Sequence, residues 1–90
     1  MNPLDLVESM LLNTPYKAVL FGSRANGTAK QNSDWDIALI GTSRIDPILL
    51  MNIEAIEKAN FVQSVDLIDF SIVDGLMKKE IELHMHDQVA

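Results

Sequence analysis

Gly22-Ser23-Arg24-Ala25-Asn26-Gly27-Thr28-Ala29-Lys30-Gln31-Asn32-Ser33-Asp34-Trp35-Asp36 joins two apolar runs, Tyr16 to Phe21 before it and Ile37 to Ile40 after it. The upstream run is β-favouring and ends on glycine, which reads as a buried strand. Asp34 to Ile40 reads as a second strand, closed by Gly41. The intervening residues are small and polar and predict a loop holding at most a short helical turn. A glycine-led turn lets backbone N–H groups approach phosphate oxygens. Two aspartates at i and i+2 of a strand, Asp34 and Asp36, point to one face and can share a hard divalent cation. A phosphate cradle beside a metal clamp is the layout of phosphoryl or nucleotidyl transfer.

Working outward, Asn2-Pro3 is an N-cap followed by proline at the first helical position, with Asp5 in the first turn. Leu4, Val7, Leu11 and Leu12 recur at helical spacing, which predicts a helix from about residue 3 to about residue 13, stopped by Thr14-Pro15. Asp46-Pro47 repeats the cap-then-proline signal, and Ile48, Leu49, Ile53, Ile56 and Ala59 predict a helix to about residue 59. Ser64 to Phe70 reads as a third strand. Ser71-Ile72-Val73-Asp74 matches a capping box with Asp in place of Glu, and Leu76, Met77, Ile81 and Leu83 continue as a last helix weakened by Gly75. On the second strand Asp36, Ala38 and Ile40 share a face with Asp34. Trp35, Ile37 and Leu39 line the other face, which is expected to pack on helices. The expected fold class is α/β (α+β), a small mixed sheet flanked by helices, in one domain spanning residues 1–90.

Composition bounds the function. Seven Lys and Arg against thirteen Asp and Glu give a net charge of −6, which disfavours non-specific nucleic-acid binding and points to a basic partner or to carboxylates awaiting a cation. Apolar residues at 48% exclude a disordered chain. Without cysteine there is neither a disulfide framework nor thiolate-bound zinc. Asp5 and Glu8 stand where a signal peptide would carry positive charge, and no apolar run reaches membrane-spanning length. A cytoplasmic location, away from membranes, is the expectation.

Three converging carboxylates repel unless a cation is present, so their convergence would mark a functional site. Val65-Asp66-Leu67-Ile68-Asp69-Phe70 offers two candidates for a third, Asp66 and Asp69. Three residues apart, they face opposite sides of a regular strand. Ser23 suits a hydrogen bond to a β- or γ-phosphate oxygen, with a plain turn serine as the alternative. Arg24 suits a charge-assisted phosphate contact or a structural contact against an acidic neighbour. Asn26-Gly27 shapes the loop through positive φ. Lys30 either neutralises a phosphate or is simply solvated. His84 and His86, at i and i+2 of a helix, diverge, and nothing completes a metal site around them, so they read as surface residues. The five methionines, with the many leucines and isoleucines, read as core or partner surface.

Gly-Ser, ten residues, then Asp-x-Asp resembles, residue for residue, the minimal nucleotidyltransferase (MNT) branch of the polymerase-β-like superfamily. The resemblance covers essentially the full chain. It implies that fold, a nucleotide site at Gly22, Ser23 and Arg24, and metal and catalytic roles for Asp34, Asp36 and Asp66, with Mg²⁺ and ATP as cofactors. It places the third carboxylate on Asp66, the aspartate preceded by valine at the strand's start. Members of this branch act as antitoxins, transferring AMP from ATP to a tyrosine of a small helical HEPN protein, often an RNA-cleaving toxin. Larger members carry a helical acceptor domain, for which ninety residues leave no room. The acceptor is therefore expected on another chain, and direct nucleic-acid binding is not. The rival readings are a non-catalytic module that neutralises its partner by occlusion, and a transferase acting on a small molecule.

Overall fold

A computed structural model describes residues 1–88. Asn2 and Asp5 build the N-terminus of the first helix, α1 (Pro3–Met10), as a reciprocal capping box: Asp5 N–H donates to Asn2 Oδ1 at 2.9 Å and Asn2 N–H to Asp5 Oδ2 at 3.2 Å. The helix ends three residues before the expected position. Asn13 adopts φ 64, and Thr14 donates from both its amide and its hydroxyl to Leu11 O, closing a turn that the apolar spacing does not report. β1 (Lys17–Phe21) follows. Tyr16 precedes it, buried, with its hydroxyl donating to Arg44 O at 2.9 Å.

α2 (Ser23–Asn26) is the short helical turn expected in the loop, and β2 (Trp35–Ile40) is the middle strand of three. β2 pairs antiparallel with β1, Lys17 opposite Ile40 through Phe21 opposite Asp36. On its other side it pairs parallel with β3 (Val65–Asp69), Trp35 opposite Val65 through Leu39 opposite Asp69. A parallel pair needs a crossover, and α3 (Pro47–Asn60) supplies it, capped by Asp46 through Ile48 N–H at 2.8 Å. The inward face of α3 is rotated from the expected one. Ile53 and Glu57 are buried, whereas Ile48 and Ile56 are exposed.

The proposed capping box at Ser71 is not formed. Asp69 takes both donors of Ser71, amide at 3.0 Å and hydroxyl at 2.7 Å, and caps a 3-10 turn over Phe70–Ile72 instead. α4 (Gly75–Gln88) then begins at Gly75, whose φ of 65 suits a glycine at a break rather than inside a helix. Both faces of the sheet are covered. Ile37 and Leu39 pack with Val7, Leu11 and Ile53 under α1 and α3. Val19, Phe21 and Ala38 pack under Ile81 of α4. The side-chain amide of Gln88 closes the outer edge of β1, accepting from Leu20 N–H at 2.7 Å and donating to Leu20 O at 2.8 Å. No helix of the described residues is long and apolar enough to cross a membrane.

Candidate active site

β1 hands the chain to Gly22 at φ 75 and ψ −159, a backbone region essentially confined to glycine. A Cβ at Gly22 would stand 3.0 Å from Asp36 Cγ and collide with its carboxylate oxygen. Turn and carboxylate are therefore packed directly against each other. Gly22 O accepts the amides of Ala25 and Asn26 at 3.1 and 3.0 Å, opening α2. The amides of Ser23 and Arg24 fall in its first turn, where helix geometry provides no acceptor. Gly27, left-handed at φ 78, ends it with its amide on Ser23 O.

Arg24 is turned onto the loop. Its Nη2 donates to the carbonyls of Ser33 at 2.8 Å, Gln31 at 3.1 Å and Lys30 at 3.4 Å, and its Nε to Ser33 O at 3.2 Å. The guanidinium lies 4.4 Å from the Trp35 ring centroid, a stacked cation–π placement. In this arrangement Arg24 holds residues 30–33 and, through Trp35, the entry to β2. Its partners are carbonyls and an aromatic face, not the acidic neighbour of the structural alternative.

The parallel register sets Asp66 beside Asp36 on one face, and Asp69 with Leu39 on the other. Asp36 is half-buried, while Asp34, just before β2, and Asp66 are exposed. Burial first, then the charges of Asp66, Asp34 and Glu80, raise the Asp36 carboxyl above the ordinary aspartate range. Asp69 has a separate task. Burial opposes its ionisation, but the Ser71 hydroxyl, the amides of Ile45 (3.1 Å) and Ser71, and the Arg44 charge outweigh it and lower its pKa. It ties the β2–α3 loop to the end of β3.

Two participants carried no sequence signal. Glu80 of α4 adds its charge to the Asp36 cluster, although nothing in its helical context distinguishes it from a solvated glutamate. His84, expected on the surface, is half-buried, with Nε2 3.1 Å from Asn26 Oδ1, and Asn26 Nδ2 reaches Glu80 at 3.5 Å. Asn26 therefore docks the α2 loop on α4, and of the Asn26-Gly27 pair only Gly27 takes a positive φ.

Among the described residues no three Asp, Glu, His or Cys side chains close into a ready-made metal cage. The donor set nevertheless suits Mg²⁺, which takes one or two carboxylates and completes its shell with water and phosphate oxygens. The Cβ-free surface of Gly22 against Asp36 leaves backbone, not side chain, facing that position. An opening of about 650 Å³ between the loop and the α3–β3 connection is lined by Lys30, Asp34, Val62 and Gln63, and of the candidate site residues only Asp34 reaches it.

The family described as "Polymerase beta, Nucleotidyltransferase" matches residues 8–85. A comparison with curated proteins finds no match. Among solved structures, a toxin–antitoxin crystal structure with AMP-PNP is similar over 93% of this chain and 69% of its own, with TM-score 0.72 and 23% identity. A mutant of a toxin–antitoxin pair is similar over 93% and 69%, with TM-score 0.70 and 18% identity. The toxin–antitoxin MntA-HepT is similar over 91% and 65%, with TM-score 0.62 and 19% identity. At these identities the structures speak for the fold, and the family match speaks for the chemistry: the chain belongs to the polymerase β nucleotidyltransferase family and is a nucleotidyltransferase.

Proposed function

We propose that this chain transfers AMP from Mg²⁺-bound ATP to a tyrosine hydroxyl of a helical HEPN-type toxin, in the cytoplasm, and so acts as its antitoxin. The observation that carries the reading is the in-register Asp36–Asp66 pair, with Asp36 packed against the Gly22 turn. The toxin–antitoxin nature of the similar structures, one of them holding AMP-PNP, supports the choice of nucleotide and partner. Asp34, Asp36 and Asp66 are the residues that would hold the metal, and a cation there would relieve the repulsion that raises the Asp36 carboxyl. Bound there, Mg²⁺ would supply charge neutralisation for an in-line displacement at the α-phosphorus, in which the bond from the tyrosine oxygen to phosphorus forms as the bond to the bridging oxygen of the β-phosphate breaks and pyrophosphate leaves. The Ser23 hydroxyl and the amides of the α2 first turn orient the triphosphate tail. Arg24 keeps the 30–33 loop in place rather than gripping phosphate. Asp66, exposed on an outer strand, is open to an incoming hydroxyl and accepts its proton.

The test is the intact mass of the protein encoded beside this chain after incubation with the chain, ATP and Mg²⁺. The wild type adds one or more adenylyl groups to it. The Asp34→Asn/Asp36→Asn variant still binds and adds none. Full protection of cells by that variant, with no mass change in either sample, would replace catalysis by occlusion.

A further inference from the structure

Glu57 is the one charged side chain in the buried set, 2% exposed, and neither carboxylate oxygen has a hydrogen-bond partner among the described residues. Buried polar atoms are almost always satisfied, and a buried charge without a counter-ion is strongly disfavoured. Glu57 also lines a cavity of about 370 Å³ at the C-terminal end of α3, together with Glu54, Lys58, Phe61, Val62 and Asp66. Glu54 and Glu57 against Lys58 leave this cavity anionic. Phe61 and Val62 give it apolar walls, and Val62 is fully exposed at the surface.

We propose that this cavity is a socket for one lysine or arginine side chain of the partner protein, with Glu57 as its buried counter-ion. An alkyl stem lies against Phe61 and Val62 while its charged head reaches the carboxylates, the way long basic side chains divide between apolar and polar surroundings. A basic partner matches the chain's net charge of −6. Asp66 forms part of both the socket wall and the Asp36 cluster. A partner anchored here is therefore held beside the carboxylate to which its hydroxyl is delivered. The inference rests on the proposed pairing with a protein partner.

The experiment measures affinity for the neighbouring-gene protein by calorimetry, from about pH 6 to about pH 8, for the wild type and Glu57→Gln, with adenylyl transfer followed in parallel. In the wild type affinity rises with pH as Glu57 ionises; Glu54, Lys58 and Asp66 are the other charged groups in the cavity and are shared by both proteins. Glu57→Gln loses that rise and binds about tenfold more weakly or worse. It unfolds no more easily than the wild type on its own, which separates lost docking from lost folding. Transfer to a saturating partner persists in the variant. Equal affinity and equal pH profile in the two proteins would overturn the socket while leaving the transferase reading intact. Wild-type binding without transfer would do the reverse. No wild-type binding would overturn both.

Discussion

Burial pushes the Glu57 carboxyl up to about 7 from an ordinary 4.5, so its ionisation works against the isolated fold. The unfolded chain releases this proton at lower pH than the folded one. Stability is therefore full below about pH 4.5 and declines as pH rises through about 7. At about 1.36 kcal/mol per unit the loss is on the order of 3 kcal/mol. Glu57→Leu in the isolated chain should match or slightly trail the wild type near pH 4 and exceed it near pH 8 in urea unfolding midpoints. A pH-independent difference would show that Glu57 finds a counter-ion within the chain. Asp36, raised for burial and for its acidic neighbours, follows the same sign. In metal-free buffer at neutral pH Asp36→Asn should fold at least as stably as the wild type while abolishing transfer. Asp69 has the opposite sign: its stabilisation is present above the ordinary aspartate pKa and lost as pH falls through its lowered value. Asp69→Asn should cost about 1–3 kcal/mol of stability, because its amide nitrogen replaces one of the two oxygens that accept from Ser71 and Ile45 and sets donor against donor there. It should leave the transfer rate largely intact, whereas Asp66→Asn should lower that rate by orders of magnitude. Reversal of the two phenotypes would reassign the third carboxylate.

At the scale of elements, the Gly22 turn joins conformation to chemistry. Gly22→Ala is strained by its φ of 75 and sterically opposed by Asp36, so it should lose both stability and nucleotide binding, by melting temperature and calorimetry. A folded, fully active alanine variant would place the phosphate cradle elsewhere. Much of this architecture was legible because its signals are local: Asn2 with Asp5, Asp46 with Pro47, and period-two alternation across Asp34 to Ile40 all act within four residues. Strand alternation alone already separated Asp66 from Asp69. What stayed hidden depends on contacts between distant segments. Ser71 does not cap α4 because Phe70–Ile72 close a 3-10 turn capped by Asp69 and Val73 is extended, so that the helix starts only at Gly75. The burial of Glu57 reflects a rotation of α3 that the apolar residues Ile48 and Ile56 misreport, since both remain exposed. Likewise Glu80 and His84 join the site only because α4 folds back across β1, where Gln88 clips the strand edge.

Across the whole molecule, the site is an electrostatic liability when empty and a gain when filled. A net charge of −6, with Asp34, Asp36, Asp66 and Glu80 near one another, leaves the apo fold under self-repulsion that a bound cation relieves. A ligand that binds only the folded chain at about 100 times its Kd adds about 2.7 kcal/mol, and in a domain of this size that raises Tm by on the order of 10 °C. ATP and Mg²⁺ together should produce such a rise, while each alone should produce far less, because neither the phosphates nor the carboxylates are then neutralised. The Asp34→Asn/Asp36→Asn variant should start from an equal or higher Tm in metal-free buffer and gain little from the pair. Differential scanning calorimetry of both proteins under the four conditions decides it. Equal gains from ATP with and without Mg²⁺ in the wild type would sink the carboxylate clamp, since nucleotide would then be held by the Gly22 turn and its neighbours alone.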